Sequence, residues 1–109
     1  MADVAGMLRS FSYAAWTPLT RRAATVRPED RSALESWARY WCANLSQGFV
    51  SSYLSVSGIE SIVPEDDVEL SVLLDAYVLE KALYEVLYEL NNRPDWVSVP
   101  LRGVLEILG

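Results

Sequence analysis

The stretch DVELSVLLDAYVLEKALYEVLYELN, Asp67 to Asn91, decides the fold. At 1.5 Å per residue a helix of this length is about 37 Å long, long enough to be the spine of a small domain. Plotted at about 100° per residue from Glu80, the apolar residues Val72, Ala76, Leu79, Leu83, Val86, Leu87 and Leu90 cover one broad side. Ser71, Asp75, Glu85 and Glu89 fall roughly opposite and are expected in solvent. A third stripe carries Tyr77, Glu80, Lys81, Tyr84 and Tyr88. Glu80, Tyr84 and Tyr88 are spaced i, i+4, i+8 along one edge, beside the only lysine of the chain. Asp66 or Asp67 can cap the helix, and Asn91-Asn92-Arg93-Pro94 stops it.

Three further helices frame this spine. From Asp3 to about Trp16, Val4, Met7, Leu8, Phe11 and Ala15 have the 3–4 spacing of a buried face. Thr17-Pro18 is expected to end that helix, because a residue before proline avoids helical angles; residues 18–27 then read as a loop. Pro28 suits the first turn of a second helix, with Glu29 and Asp30 near the positive end of its dipole. Its apolar seam runs Leu34, Trp37 or Ala38, Trp41, Leu45, Gly48 or Phe49, Ser52 or Tyr53, and Val56. Trp37 and Trp41 are expected in the core, Gly48 in close contact with a neighbour, and Arg31–Glu35 and Glu35–Arg39 as i,i+4 pairs. Ser57-Gly58 ends the helix, and residues 59–66 form a loop around Pro64. After a turn at Asp95-Trp96, Ser98 or Val99 begins a short last helix with Pro100 in its first turn, carrying Leu101, Val104, Leu105 and Leu108. No strand pattern, repeat or low-complexity segment is visible. The expected fold is all-α, with about four helices in a single helical unit over 1–109.

Composition removes several classes of function. The 109 residues make one domain or less, and 51% are apolar. No run of about 18 uncharged apolar residues is present to span a membrane, and no basic start followed by an apolar run marks a secretory signal. Cys42 is the only cysteine and there is no histidine, which excludes within this chain a His/Cys zinc site and a Ser-His-Asp or Cys-His catalytic arrangement. A reducing cytoplasm is the simplest home for a lone cysteine. The net charge of −6 is uneven: residues 1–50 hold six arginines against four acids, residues 51–109 three basic residues against eleven acids. The acidic half would repel nucleic acid. Arg21, Arg22 and Arg27 form a small basic patch, read as solvated linker surface with anion binding as the alternative.

Aromatic rings beside a carboxylate are what a sugar site needs. A pyranose offers C–H patches to ring faces and hydroxyls to charged acceptors. The stripe of Glu80, Tyr84 and Tyr88 fits that description. It also fits tyrosines that pack with a wet hydroxyl, and a glutamate that pairs with an arginine from another helix. Trp96, in a turn after Pro94, is a candidate cap for a pocket.

The residues from Leu79 to Trp96, LEKALYEVLYELNNRPDW, are similar to the C-terminal signature of maltokinases. The segment DVAGMLRSFSYAA from Asp3 to Ala15 resembles a second such signature, and VPLRG from Val99 to Gly103 also fits. The likeness spans nearly the whole chain; residues 18–27 and the middle of the second helix carry little of it, and Val86 and Ser98 depart from it. It implies the last part of the C-lobe of a fold like those of protein kinases and aminoglycoside phosphotransferases. It also implies a parent activity, the ATP- and Mg²⁺-dependent phosphorylation of maltose to maltose 1-phosphate, feeding α-glucan and glycogen synthesis. Some members follow a trehalose synthase domain. By position, Glu80, Tyr84 and Tyr88 would line the maltose pocket with Lys81 and Arg9 beside it, and Asp3 would brace the catalytic loop, a structural role expected also of Trp96. No residue of this chain is expected to be catalytic. Its glycines are scattered, and Lys81 sits mid-helix, the wrong context for a nucleotide lysine. The phosphoryl-transfer machinery is expected from an N-terminal kinase lobe preceding Asp3. The chain, a piece of a longer protein or a separated domain, is expected to be inactive alone. It is further expected to form a homodimer through an apolar face of its first helix. The competing reading is a non-enzymatic helical module that binds a partner subunit.

Overall fold

Asp66 is the residue that starts the spine. Its backbone is extended and its carboxylate accepts the N–H groups of Val68 (2.8 Å) and Glu69 (3.4 Å), satisfying two of the donors a helix leaves free at its start. The computed structural model describes residues 2–22, 25–56 and 66–109. Over these it forms α1 (Ala2–Arg21), α2 (Pro28–Leu54), α3 (Asp67–Asn92) and α4 (Ser98–Leu108), with a single 3₁₀ turn, Pro94–Trp96, between the last two. No strand occurs among the described residues, so the chain is all-α as expected. The expected helix end at Ser57-Gly58 and loop around Pro64 fall outside the described residues.

α1 lies at the centre. It packs against α2, α3, α4 and the 3₁₀ turn, whereas α2 packs against α1, and α4 against α3 and α1. Trp16 is buried at the junction with Ala38 of α2 and Val99 of α4, and Tyr13, Ala15 and Leu19 close around them. The guanidinium of Arg102 lies 3.9 Å over the Trp16 ring, and that of Arg39 lies 5.9 Å from it.

Three expectations are corrected here. Pro18 does not end the first helix. The chain stays helical to Arg21, and the Arg22 N–H bonds the Pro18 carbonyl at 3.0 Å. The proline removes one donor, to the carbonyl of exposed Ala14, which water can satisfy. Continuing the helix places Leu19 against the Trp16 cluster, and that packing outweighs the local preference. Trp37 and Trp41 are not core residues. They are 66% and 42% exposed, because α2 turns Ala38 and not its tryptophans towards α1. Gly48 touches no neighbour; a Cβ there would meet open space.

The largest correction concerns the faces of α3. Glu85 and Glu89, expected in solvent, point into the molecule, Glu89 being fully buried. Ala82, one turn earlier on the same edge, is also buried, while Leu83, Leu87 and Leu90 are 49%, 62% and 53% exposed. The inward edge is chosen by partners on α1. Arg9 donates to Glu85 at 2.6 Å and Tyr13 to Glu89 at 3.4 Å, so polar pairing, together with the burial of Ala82, sets how α3 sits on α1.

Candidate functional site

The line where α1 and α3 run side by side leaves an open groove of about 590 Å³. α1 supplies Asp3, Gly6, Met7, Ser10 and Tyr13, which fall along one edge of the helix. α3 supplies Lys81, Tyr84, Glu85 and Tyr88 in the same way, and Arg93 closes the end. Gly6 keeps the α1 wall low, with the Lys81 Cε 4.0 Å from where a Cβ would stand. Tyr84 and Tyr88 are 68% and 48% exposed, and the Arg93 guanidinium lies 5.9 Å from the Tyr88 ring. A smaller depression of about 240 Å³ adjoins, lined by Ala2, Ala5, Tyr77, Glu80, Lys81 and Tyr84. Lys81 and Tyr84 belong to both and form the ridge between them.

The floor is held by two ion pairs. Arg9, 4% exposed, bonds Glu85, and its guanidinium lies 5.9 Å from the Tyr13 ring. Arg93 grips Glu89 with two nitrogens, Nε at 3.1 Å and Nη2 at 3.2 Å, and stacks 3.9 Å over Trp96. A planar guanidinium can do both at once. Trp96 is also approached by Arg21 at 5.5 Å, so this ring braces two arginines. Tyr13 lies above both carboxylates. Burial, and then the negative charge of Glu85 and Glu89, push its phenol well above the usual range, so the hydroxyl stays protonated and donates. At the mouth of the groove, a hydrogen bond from the Val4 N–H holds the exposed Asp3 carboxyl below its usual value.

Of the residues singled out from the sequence, Lys81, Tyr84 and Tyr88 share the main groove with Asp3. Glu80 is exposed and lines the adjoining depression instead. Arg9 lies beneath the floor, where its nearest partner is Glu85 and not open space. Sequence reasoning missed Tyr13, Glu85 and Arg93. The Glu89–Arg93 spacing of four was a readable signal for the last. Nothing in one dimension marked Glu85, because its partner lies 76 residues away. Arg27 of the basic patch is paired with Asp30 at 2.8 Å, and the Arg21 guanidinium lies 5.5 Å from the Trp96 ring.

Among the described residues, no three Asp, Glu or Cys side chains come together in a way that would hold a metal ion. Cys42 is half-buried, and burial pushes its thiol up, away from the range of an activated nucleophile. No described helix is long and apolar enough to cross a membrane. No family model matches this chain, and no solved structure matches it.

Proposed function

We propose that the chain is the sugar-contacting helical part of a maltokinase-like protein, holding the acceptor, maltose, in the α1/α3 groove. The observation that carries this reading is the groove itself, with two exposed tyrosine rings, a lysine and a carboxylate on its walls above a salt-bridged floor. Its volume is in the range of about 300–1,000 Å³ typical of small-molecule sites. Tyr84 and Tyr88 would meet the C–H faces of the pyranose rings. Lys81 would donate to sugar oxygens, and Asp3 and Glu80 would accept from hydroxyls. Arg9, Glu85, Glu89 and Arg93 would keep the two walls at a fixed separation.

ATP and Mg²⁺ are expected to be held elsewhere, since the chain has no Gly-rich phosphate loop and Lys81 sits mid-helix, the wrong context for a nucleotide lysine. Phosphoryl transfer would therefore belong to an N-terminal kinase lobe, with or without a trehalose synthase domain. The purified chain should transfer no labelled phosphate from ATP to maltose.

Binding is tested by calorimetric titration of the chain with maltose. Tyr84→Ala and Tyr88→Ala should each weaken binding by about 5- to 150-fold, the equivalent of about 1–3 kcal/mol, with an unchanged circular dichroism spectrum. Wild-type affinity in both variants, or no binding at millimolar maltose, would contradict the reading. The alternative of a helical interaction module is favoured by one specific observation, the exposed leucines of α3.

A further inference from the structure

Those leucines lie in a register. On α3, Val72, Ala76, Leu79, Leu83, Val86 and Leu90 follow one another at steps of 4, 3, 4, 3 and 4, the a/d spacing of a helix that packs along a second helix. The seam is about 27 Å long at 1.5 Å per residue. α3 packs on α1 and α4 through a different edge, where Ala82 and Glu89 are buried, so Val72, Ala76, Leu83 and Leu90 remain exposed and only Leu79 and Val86 are half-covered. Leu87, 62% exposed, widens the strip.

The chain exposes 7223 Å², against roughly 6,100 Å² for a compact monomer of its mass, so apolar surface is left uncovered on α2, α3 and α4 together. What would cover the α3 seam is indicated by charge. The exposed charged residues along the seam, Glu69, Asp75 and Glu80, are all acidic, and Lys81, the only cation on α3, faces the groove on the other edge. A second copy laid along this seam would bring acid against acid.

We propose that the α3 seam is a docking surface for an amphipathic helix of another protein segment, apolar at its own a and d positions and flanked by lysine or arginine. This surface is distinct from the main groove between α1 and α3 and shares only Glu80, at its edge, with the adjoining depression. Helix-on-helix docking of this kind is read through apolar anchors, with flanking charges setting partner choice.

The test uses synthetic helical peptides of three heptads with leucine at a and d, labelled for fluorescence anisotropy. One carries lysine at the flanking positions, one carries glutamate there, and a third scrambles the lysine sequence. The lysine-flanked helix should bind at least about tenfold more tightly than either of the others. The double substitution Leu83→Ser/Leu87→Ser, at exposed positions, should reduce that binding about tenfold or more, and Leu87→Glu should reduce it without touching a second leucine. Equal binding of the ordered and scrambled lysine peptides would overturn the proposal, as would wild-type binding by Leu87→Glu. So would a dimer in analytical ultracentrifugation that Leu87→Glu disperses, since the seam would then belong to a second copy.

Discussion

Two glutamates nine residues apart on one helix have opposite fates. Glu80 is exposed, whereas Glu89 is enclosed by Arg93 and Tyr13. Arg93→Ala would leave the Glu89 carboxylate buried with only a long tyrosine bond. It should cost about 3 kcal/mol or more in urea unfolding, whereas Glu80→Gln should stay within about 0.5 kcal/mol of wild type. Gly103 is constrained for a related reason. A Cβ there would run into the Arg9 guanidinium, 2.8 Å from its Cζ, and Arg9 cannot swing away while Glu85 holds it. Gly103→Ala should therefore destabilise by about 1–3 kcal/mol, and Arg9→Ala should relieve that penalty in a double-mutant cycle. Tyr13 gives a pH signature. Its phenol titrates higher in the folded than in the unfolded chain, so the folded state binds more protons above the ordinary tyrosine value of about 10. Its contribution is complete below that value and is lost as pH rises further. Urea midpoints measured from pH 9 to 11 should fall less steeply for Tyr13→Phe than for wild type.

At the scale of the elements, α3 shows what one sequence can and cannot tell. Its limits, its cap and its tyrosine edge followed from periodicity and stop signals, because those depend on neighbours within a few residues. Which edge faces inward did not, because Arg9 and Tyr13 reach it from the far end of the chain. An apolar stripe marks a face that prefers to be covered; it does not say by what. For the same reason the groove was half legible: Lys81, Tyr84 and Tyr88 lie on one helix, while its other wall depends on how α1 is set against them. α1 itself exceeded its expected end, since packing of Leu19 overrode Pro18. Replacing Pro18 with alanine restores the missing N–H at an exposed helical position. It should raise stability by about 1–2 kcal/mol, the helix gain being reduced by the freer unfolded chain. Asp66→Ala removes two cap bonds and should lower it by about 1 kcal/mol. Thermal melts of the two variants should move in opposite directions.

The whole molecule is a set of helices around α1 with large apolar side chains exposed on their outer surfaces. Its radius of gyration is 15.3 Å, against roughly 13 Å for a compact domain of this length. Association was expected through α1, but α1 is the most enclosed helix, and the larger apolar exposure lies on α2, α3 and α4. The polar groove between α1 and α3 and the apolar seam of α3 are thus two different surfaces with two different chemistries. The central claim concerns the groove, and backbone amide chemical shifts during a maltose titration test it most directly. The account predicts saturable shifts at Gly6, Ser10, Lys81, Tyr84 and Tyr88, with Leu83, Leu87 and the exposed face of α2 unmoved. Shifts absent from those five residues, or confined to the apolar faces, would contradict it.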